Sequence, residues 1–382
     1  TSHLAALPWM LSLHAEEARH APAWGAYCAA LDAISEDILA AADVVRDVDA
    51  TMFGNVDGQV LFEGRLTETL EECGLTTPAP QRAARDALHR FWEAVGRHEP
   101  QPYYAILLAD GDRMGKVIDH HGRAAHEKLS KVLVDFAASV YGVVRRRQGS
   151  LVYSGGDDVL ALLPLHTAVA CAAELAERFA HDLKEFPDET GAAPTLSAGL
   201  AVVHHLTPFD AALEVARRAE KDAKKTRDAL TILVDKRGGA EQRVSGTWKE
   251  LLPALKMLTG LQRLGAVSAK AGHELAGYAR LTEGVTGDDR ATLGLVARAA
   301  ATHLFDAKRC RGGDRAIAQA VIDALAAKLP EWHPKRDPEG DTEEAPEPVR
   351  TLGERLVVAQ QLARAAEEAG EPMPKSLDEV LS

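Results

Sequence analysis

Tyr153-Ser154-Gly155-Gly156-Asp157-Asp158 places two glycines and two carboxylates between apolar, β-prone runs, the pattern of a tight hairpin with acids at its tip. Leu151-Val152-Tyr153 and Val159-Leu160-Ala161-Leu162-Leu163 read as its strands, and Gly155-Gly156 as the residues supplying positive φ to a two-residue turn. Upstream, Tyr103-Tyr104-Ala105-Ile106-Leu107-Leu108-Ala109 is a third strand-like run, and it ends in Asp110-Gly111-Asp112. If that strand lies beside the hairpin, its acids and those of the hairpin share one small patch. Like charges crowded in this way repel and raise one another's pKa, and divalent cations relieve the conflict. Two magnesium or manganese ions are a common solution in phosphoryl and nucleotidyl transfer. Either motif alone suits a polar turn, or a helix cap before Arg113-Met114-Gly115-Lys116, so the reading rests on the pair.

Periodicity around these motifs gives the organisation. Residues 1–100 read as a helical domain, with amphipathic stretches from Tyr27 to Val45 and from Gln81 to Val95. Residues 101–240 alternate: strand 103–109, helix 123–146, strands 150–154 and 158–163, helix 167–186, strand 195–203, helix 208–226 and strand 229–234. That β-α-β-β-α-β order with one added helix and strand predicts an α+β, ferredoxin-like palm, with the first strand adjacent to the hairpin. Residues 241–382 read as a second helical domain, through Trp248–Leu264, Ala291–Phe305, Ala316–Leu329 and Leu352–Ala369, with an acidic, proline-rich loop at 334–348.

The 382 residues give room for two or three domains, and 46% hydrophobic with 26% charged content is that of an ordinary soluble protein. The formal charge of −13 argues against wrapping nucleic acid by bulk electrostatics, while leaving a local basic groove open. No uninterrupted apolar run reaches about 18 residues and no signal-peptide pattern opens the chain, so the expectation is cytoplasmic, without a membrane partner. The start at Thr1 reads as an internal portion of a longer protein. Cys28, Cys73, Cys171 and Cys310 are dispersed, which predicts reduced, buried thiols and no zinc ribbon.

Other residues are weighed against blander roles. Lys224, near the end of the third palm helix, is placed to meet triphosphate oxygens or simply to complement the helix dipole. Ser154 is placed to bond a base or ribose, or its own turn. His204 and His205 end a strand and are expected on opposite faces. His120, His121 and His126 lack a two-histidine helical face, and His181-Asp182 has no companion ligands, so none is read as a metal centre.

Ala109-Asp110-Gly111-Asp112-Arg113-Met114-Gly115-Lys116, Ser154-Gly155-Gly156-Asp157-Asp158, the strand Ser197–His205 and the stretch Ala219–Lys225 resemble the second palm domain of the large, polymerase-like subunit of type III CRISPR effector complexes, in its Cmr (type III-B) branch. Thr1-Ser2-His3-Leu4-Ala5-Ala6-Leu7-Pro8 resembles the stretch that follows that family's first palm, so the match would be to a C-terminal portion. The likeness is strongest over 101–240 and weaker in both helical parts. It implies an RNA-guided antiviral complex that, once guide RNA pairs with target RNA, converts ATP to cyclic oligoadenylate. One ATP would offer its 3′-hydroxyl and the other its α-phosphate. Carried over by residue, Asp110, Asp157 and Asp158 would bind the two metals and be catalytic, with Asp112 in support. Gly111, Asp112, Ser154, Gly155, Gly156 and Lys224 would contact nucleotide, Lys224 through the triphosphate. The family's HD nuclease domain and first palm have no counterpart here, so the chain alone is expected to lack DNase activity and to be a weak synthase.

Two other readings stay open. A diguanylate cyclase has a related palm, but its Gly-Gly hairpin continues to Glu-Phe where this one continues Asp158-Val159-Leu160. A catalytically silent scaffold subunit of the ribonucleoprotein is the third, and the complete set of acids counts against it.

Overall fold

The computed structural model describes residues 1–41, 51–238, 240–268, 270–281, 320–321, 323–324 and 348–381. The helices expected at 291–305 and over most of 316–329, the acidic segment 334–347 and Cys310 lie outside the described residues. The chain forms two compact units, Thr1–Gly239 with Glu368–Glu371, and Ala240–Glu367 with Pro372–Ser382.

The first unit opens with helices α1 (Ser2–His14), α2 (Glu17–Asp32), α3 (Asp37–Ala41), α4 (Glu63–Glu72) and α5 (Pro78–Ala94). The continuous helix expected from Tyr27 is interrupted after Asp32, where the Ser35 hydroxyl accepts a 3.2 Å bond from the Asp37 amide and restarts the chain as α3. Trp24 anchors this part, with its ring 4.7 Å from Phe53 and 5.6 Å from Phe91. Burying each such ring stabilises the fold by about 1.5–3 kcal/mol.

The alternating part follows as β1 (Tyr103–Gly111), α6 (Met114–His120), α7 (Arg123–Arg146), β2 (Ser150–Gly155), β3 (Asp158–Pro164), α8 (Leu165–Asp182), β4 (Leu196–His204), α9 (Phe209–Thr226) and β5 (Ala229–Asp235). Within this unit the strands run β2-β3-β1-β4-β5. β1 is antiparallel to both β3 and β4, and β4 is parallel to β5. Central β1 and β4 read as near-continuous apolar runs because helices cover both faces of the sheet. Tyr104, Ile106, Ala201 and Val203 join Ala212, Val215 and Ala219 of α9 and the N-terminal helices in one core. The intervening Ala105 and Leu107 serve the opposite face, where α7 and α8 meet through an edge-on Phe136–Phe179 contact at 5.1 Å.

The second unit begins with a strand, β6 (Gln242–Thr247), where a direct return to helix was expected. The helix Trp248–Arg263 then starts at a Thr247-x-x-Glu250 signature, with the Thr247 hydroxyl accepting from the Glu250 amide at 3.4 Å. Leu258, Leu261, Leu275, Leu352 and Leu356 supply its core from this helix, Ala271–Leu281 and Pro348–Glu368. Among the described residues, no helix is long and apolar enough to cross a membrane.

Candidate functional site

The hairpin is built one residue away from its expected register. Gly155 pairs with Asp158, so Gly156 and Asp157 are the two loop residues. Gly156 alone takes a positive φ, at 67°, which is the requirement of a II′ turn. Gly155 has an ordinary φ, and the exposed Tyr153 ring lies over it in the space a Cβ would take. The Ser154 hydroxyl donates to the Ala137 carbonyl at 3.2 Å and so fastens the hairpin to α7 rather than closing its own turn. A register shift between Leu151 and Tyr153 marks a bulge in β2, and both Val152 and Tyr153 are exposed there.

Because β1 lies between β3 and β4, its last residues come up beside the hairpin tip. Ala109 pairs with Val159 on one side and Ala198 on the other, and Asp110 follows opposite Ser197. Carboxylate oxygens of Asp110, Asp157 and Asp158 all lie within 4.8 Å of one another. Gly111 makes this approach possible, since a Cβ on it would stand 2.8 Å from Asp157 Oδ2. Burial raises the Asp157 pKa, and the Asp110 charge adds to it. Asp158 is the most exposed of the three. Partial desolvation, a hydrogen bond with Asp110 and the charges of Asp110 and Asp157 nevertheless push its carboxyl up to about 6. Oxygen donors in this crowding fit a hard divalent cation such as magnesium or manganese.

Asp112 is not the fourth member of that patch. Its side chain is only 3% exposed and is saturated by the Thr195 hydroxyl at 2.7 Å, the Ser197 hydroxyl at 2.9 Å and the Asp228 amide at 2.9 Å. It clamps the ends of β1, β4 and β5 together. Lys224 is likewise engaged: its ammonium lies 2.5 Å from Asp110 Oδ2 and donates to the carbonyls of Asp110 at 2.8 Å and Gly111 at 2.6 Å. α9 brings it there by packing against β4 at Gly199, where any Cβ would collide with the Glu220 backbone.

Sequence reasoning assigned no role to Glu220, Thr195, Ser197 or Asp228. Glu220 is half-buried one helical turn before Lys224, and burial raises its pKa against the pull of that ammonium. The i, i+4 spacing of Glu220 and Lys224 was a signal for it. The clamp around Asp112 had none, because its members are far apart in sequence.

The histidines end the sheet on its other side. His204 and His205 do not point to opposite faces: β4 stops at His204, the chain turns, and the two rings stack at 4.8 Å. His205 also stacks on Phe62 at 4.1 Å, and its Nδ1 lies 3.0 Å from the Ser2 hydroxyl. Desolvation, with His204 and Arg65 nearby, drives its pKa down to about 3. His181 bonds only its neighbour Asp182 in the described contacts, and His126 reaches the Ile118 carbonyl. Of the described cysteines only Cys171 is fully buried, and burial pushes its thiol up to about 12.

Residues 103–231 match the family model for the second palm domain of Cas10/Cmr2. The chain is 31% identical over 184 residues to the CRISPR system Cmr subunit Cmr2 of Pyrococcus furiosus, a match over 41% of this chain and 21% of that protein. It therefore spans about a fifth of the curated relative's length. Among solved structures, a chain of the apo type III-B Cmr-beta complex is similar at a TM-score of 0.47 and 11% identity, over 82% of this chain and 43% of that one. The guanylyl cyclase Cya2 is similar at a TM-score of 0.28 and 16% identity, over 37% and 89% respectively. The segment that carries the three carboxylates is thus a second palm domain of the Cas10/Cmr2 family.

Proposed function

We propose that this chain is part of the large subunit of a type III-B CRISPR RNA-guided effector complex, and that its palm converts ATP to cyclic oligoadenylate. The observation that carries the reading is the convergence of Asp110, Asp157 and Asp158 within 4.8 Å on a Cas10/Cmr2-type palm. Asp110, Asp157 and Asp158 hold two magnesium or manganese ions. Such ions lower the pKa of an attacking hydroxyl and stabilise a departing pyrophosphate. Gly111 and Gly156 leave the room and the turn that let Asp157 face Asp110. Ser154 and Gly155 shape the hairpin beside the nucleotide, and Asp112 keeps the β1 end rigid beneath it. Guide RNA, target RNA and the other subunits act on this chain through the assembled complex.

Joining two nucleotides needs a second positioned ATP, and positioning contributes up to about 7–11 kcal/mol of barrier lowering. The isolated chain accordingly binds ATP with divalent metal but makes little product. The deciding experiment incubates the assembled complex with ATP, manganese and target RNA and identifies products by mass spectrometry. Cyclic oligoadenylate from the native complex, and none from Asp157→Ala with Asp158→Ala, is the expected result. Undiminished product from the double variant overturns the site, and conversion of GTP to a cyclic dinucleotide overturns the substrate.

A further inference from the structure

Lys224 deserves a second role beyond the triphosphate contact suggested by its place in the sequence. Its ammonium faces three oxygens at close range, Asp110 Oδ2 at 2.5 Å, the Gly111 carbonyl at 2.6 Å and the Asp110 carbonyl at 2.8 Å, with Asp112 Oδ1 further off at 3.6 Å. An ammonium has three N–H groups, so this set uses them all. Carboxylate and backbone carbonyl oxygens are also the ligands that a hard divalent cation selects. No proton donor remains for a phosphate while the lysine sits there. The neighbouring Lys225 is paired with Asp222 at 2.6 Å, and among the described residues Lys224 is the cation in the ion pairs of Asp110 and Asp112.

We infer that Lys224 is a tethered counter-ion: it holds the oxygens of Asp110 and Gly111 when no divalent metal is bound, and gives them up when metal arrives. The inference rests on the metal reading of Asp110, Asp157 and Asp158. Lys224 then competes with metal for the same oxygens. Its release on metal binding frees the ammonium at the moment a triphosphate brings negative charge to the site. Gly199 matters to this device because it allows α9 to lie close enough for the side chain to reach, while only 22% of that side chain stays exposed.

The test is a manganese titration of the full 382-residue chain at pH 7.5, following free Mn²⁺ by electron paramagnetic resonance. Lys224→Gln keeps a neutral donor for the two carbonyls and so protects the fold, while Lys224→Met removes both charge and donor. Removing one unit charge a few ångströms from the ion should tighten Mn²⁺ binding by roughly tenfold in both variants. Lys224→Arg, which restores the charge, should return the affinity toward wild type. A Kd that is unchanged or weaker in Lys224→Gln and Lys224→Met overturns the inference. Asp157→Asn separates the two layers. If it weakens Mn²⁺ binding while the lysine variants do not tighten it, only the counter-ion role fails. If it leaves Mn²⁺ binding untouched, the metal reading fails and the inference falls with it.

Discussion

The two ends of β1 are built on opposite principles. At its C-terminal end Asp110 meets Asp157 and Asp158, three acids with one ammonium among them, and burial raises the pKa of Asp157 and Asp158. At its N-terminal end Tyr103 meets the edge of His204, and the adjoining turn buries His205 as a neutral ring against Phe62 and Ser2. One end crowds like charges together, and the other buries neutral rings. Like charges left this close, with Lys224 alone seen to offset them among the described residues, mark the acidic end as the proposed working end, while the histidine end packs the fold.

The largest effect separates the two ends by activity. Asp110→Asn should lower product formation by the assembled complex by roughly a thousandfold, the scale of losing an electrostatic stabiliser in a water-excluded site. His205→Ala should leave turnover by the folded protein at its native value. Equal losses in the two variants would erase the contrast.

Next comes the packing that delivers Lys224. Gly199→Ala drives a methyl into the Glu220 backbone and should cost about 3 kcal/mol in urea unfolding, because backbone cannot move aside as a flexible side chain can. A cost below 1 kcal/mol would mean that α9 is free to shift and that its approach does not fix the lysine.

The pH response then tells the ends apart by sign. The His205 pKa is lowered from 6.5 to about 3, so its contribution is complete above 6.5 and is lost as pH falls. Between pH 7.5 and 5 that loss is about 2 kcal/mol, and His205→Phe should abolish it in paired unfolding curves. Asp158 runs the other way. Its pKa is raised from 3.8 to about 6, so its favourable contribution is present below 3.8 and disappears as pH rises through 6. Asp158→Asn should therefore gain stability relative to wild type as pH is raised from 4 to 7 without metal.

The smallest effect is the stability of the metal-free double variant. Asp157→Ala with Asp158→Ala removes mutual repulsion and should raise stability by under about 1 kcal/mol, because solvent screens the exposed Asp158. A clear loss would mean that the acids also hold the hairpin in place.

The sequence made the palm legible because its signals are local. Apolar runs of strand length, helical periodicity between them and the Gly-Gly-Asp-Asp tip yielded eight elements whose observed ends differ by only a few residues, while the short helix α6 was not among them. Even the adjacency of β1 and the hairpin followed from their order along the chain. β6 was missed because Gln242–Thr247 is a short, mostly polar segment without alternation. The break after Asp32 was missed because a single serine cap overrides an otherwise helical pattern.

What the sequence determined by itself, then, was that the acids of Asp110-Gly111-Asp112 and of Asp157-Asp158 come to one patch: this follows from strand ends and a turn, and these are features of neighbouring residues. Only the tertiary structure decided the rest. Asp112 differs from Asp110 by two positions, yet it is buried among Thr195, Ser197 and Asp228, while Asp110 faces the hairpin. Gly155 was found beneath the ring of Tyr153, and Lys224 against oxygens more than a hundred residues away in sequence. These choices are set by how closely backbones pack and by which buried polar groups must find partners, and neither quantity exists until distant segments meet.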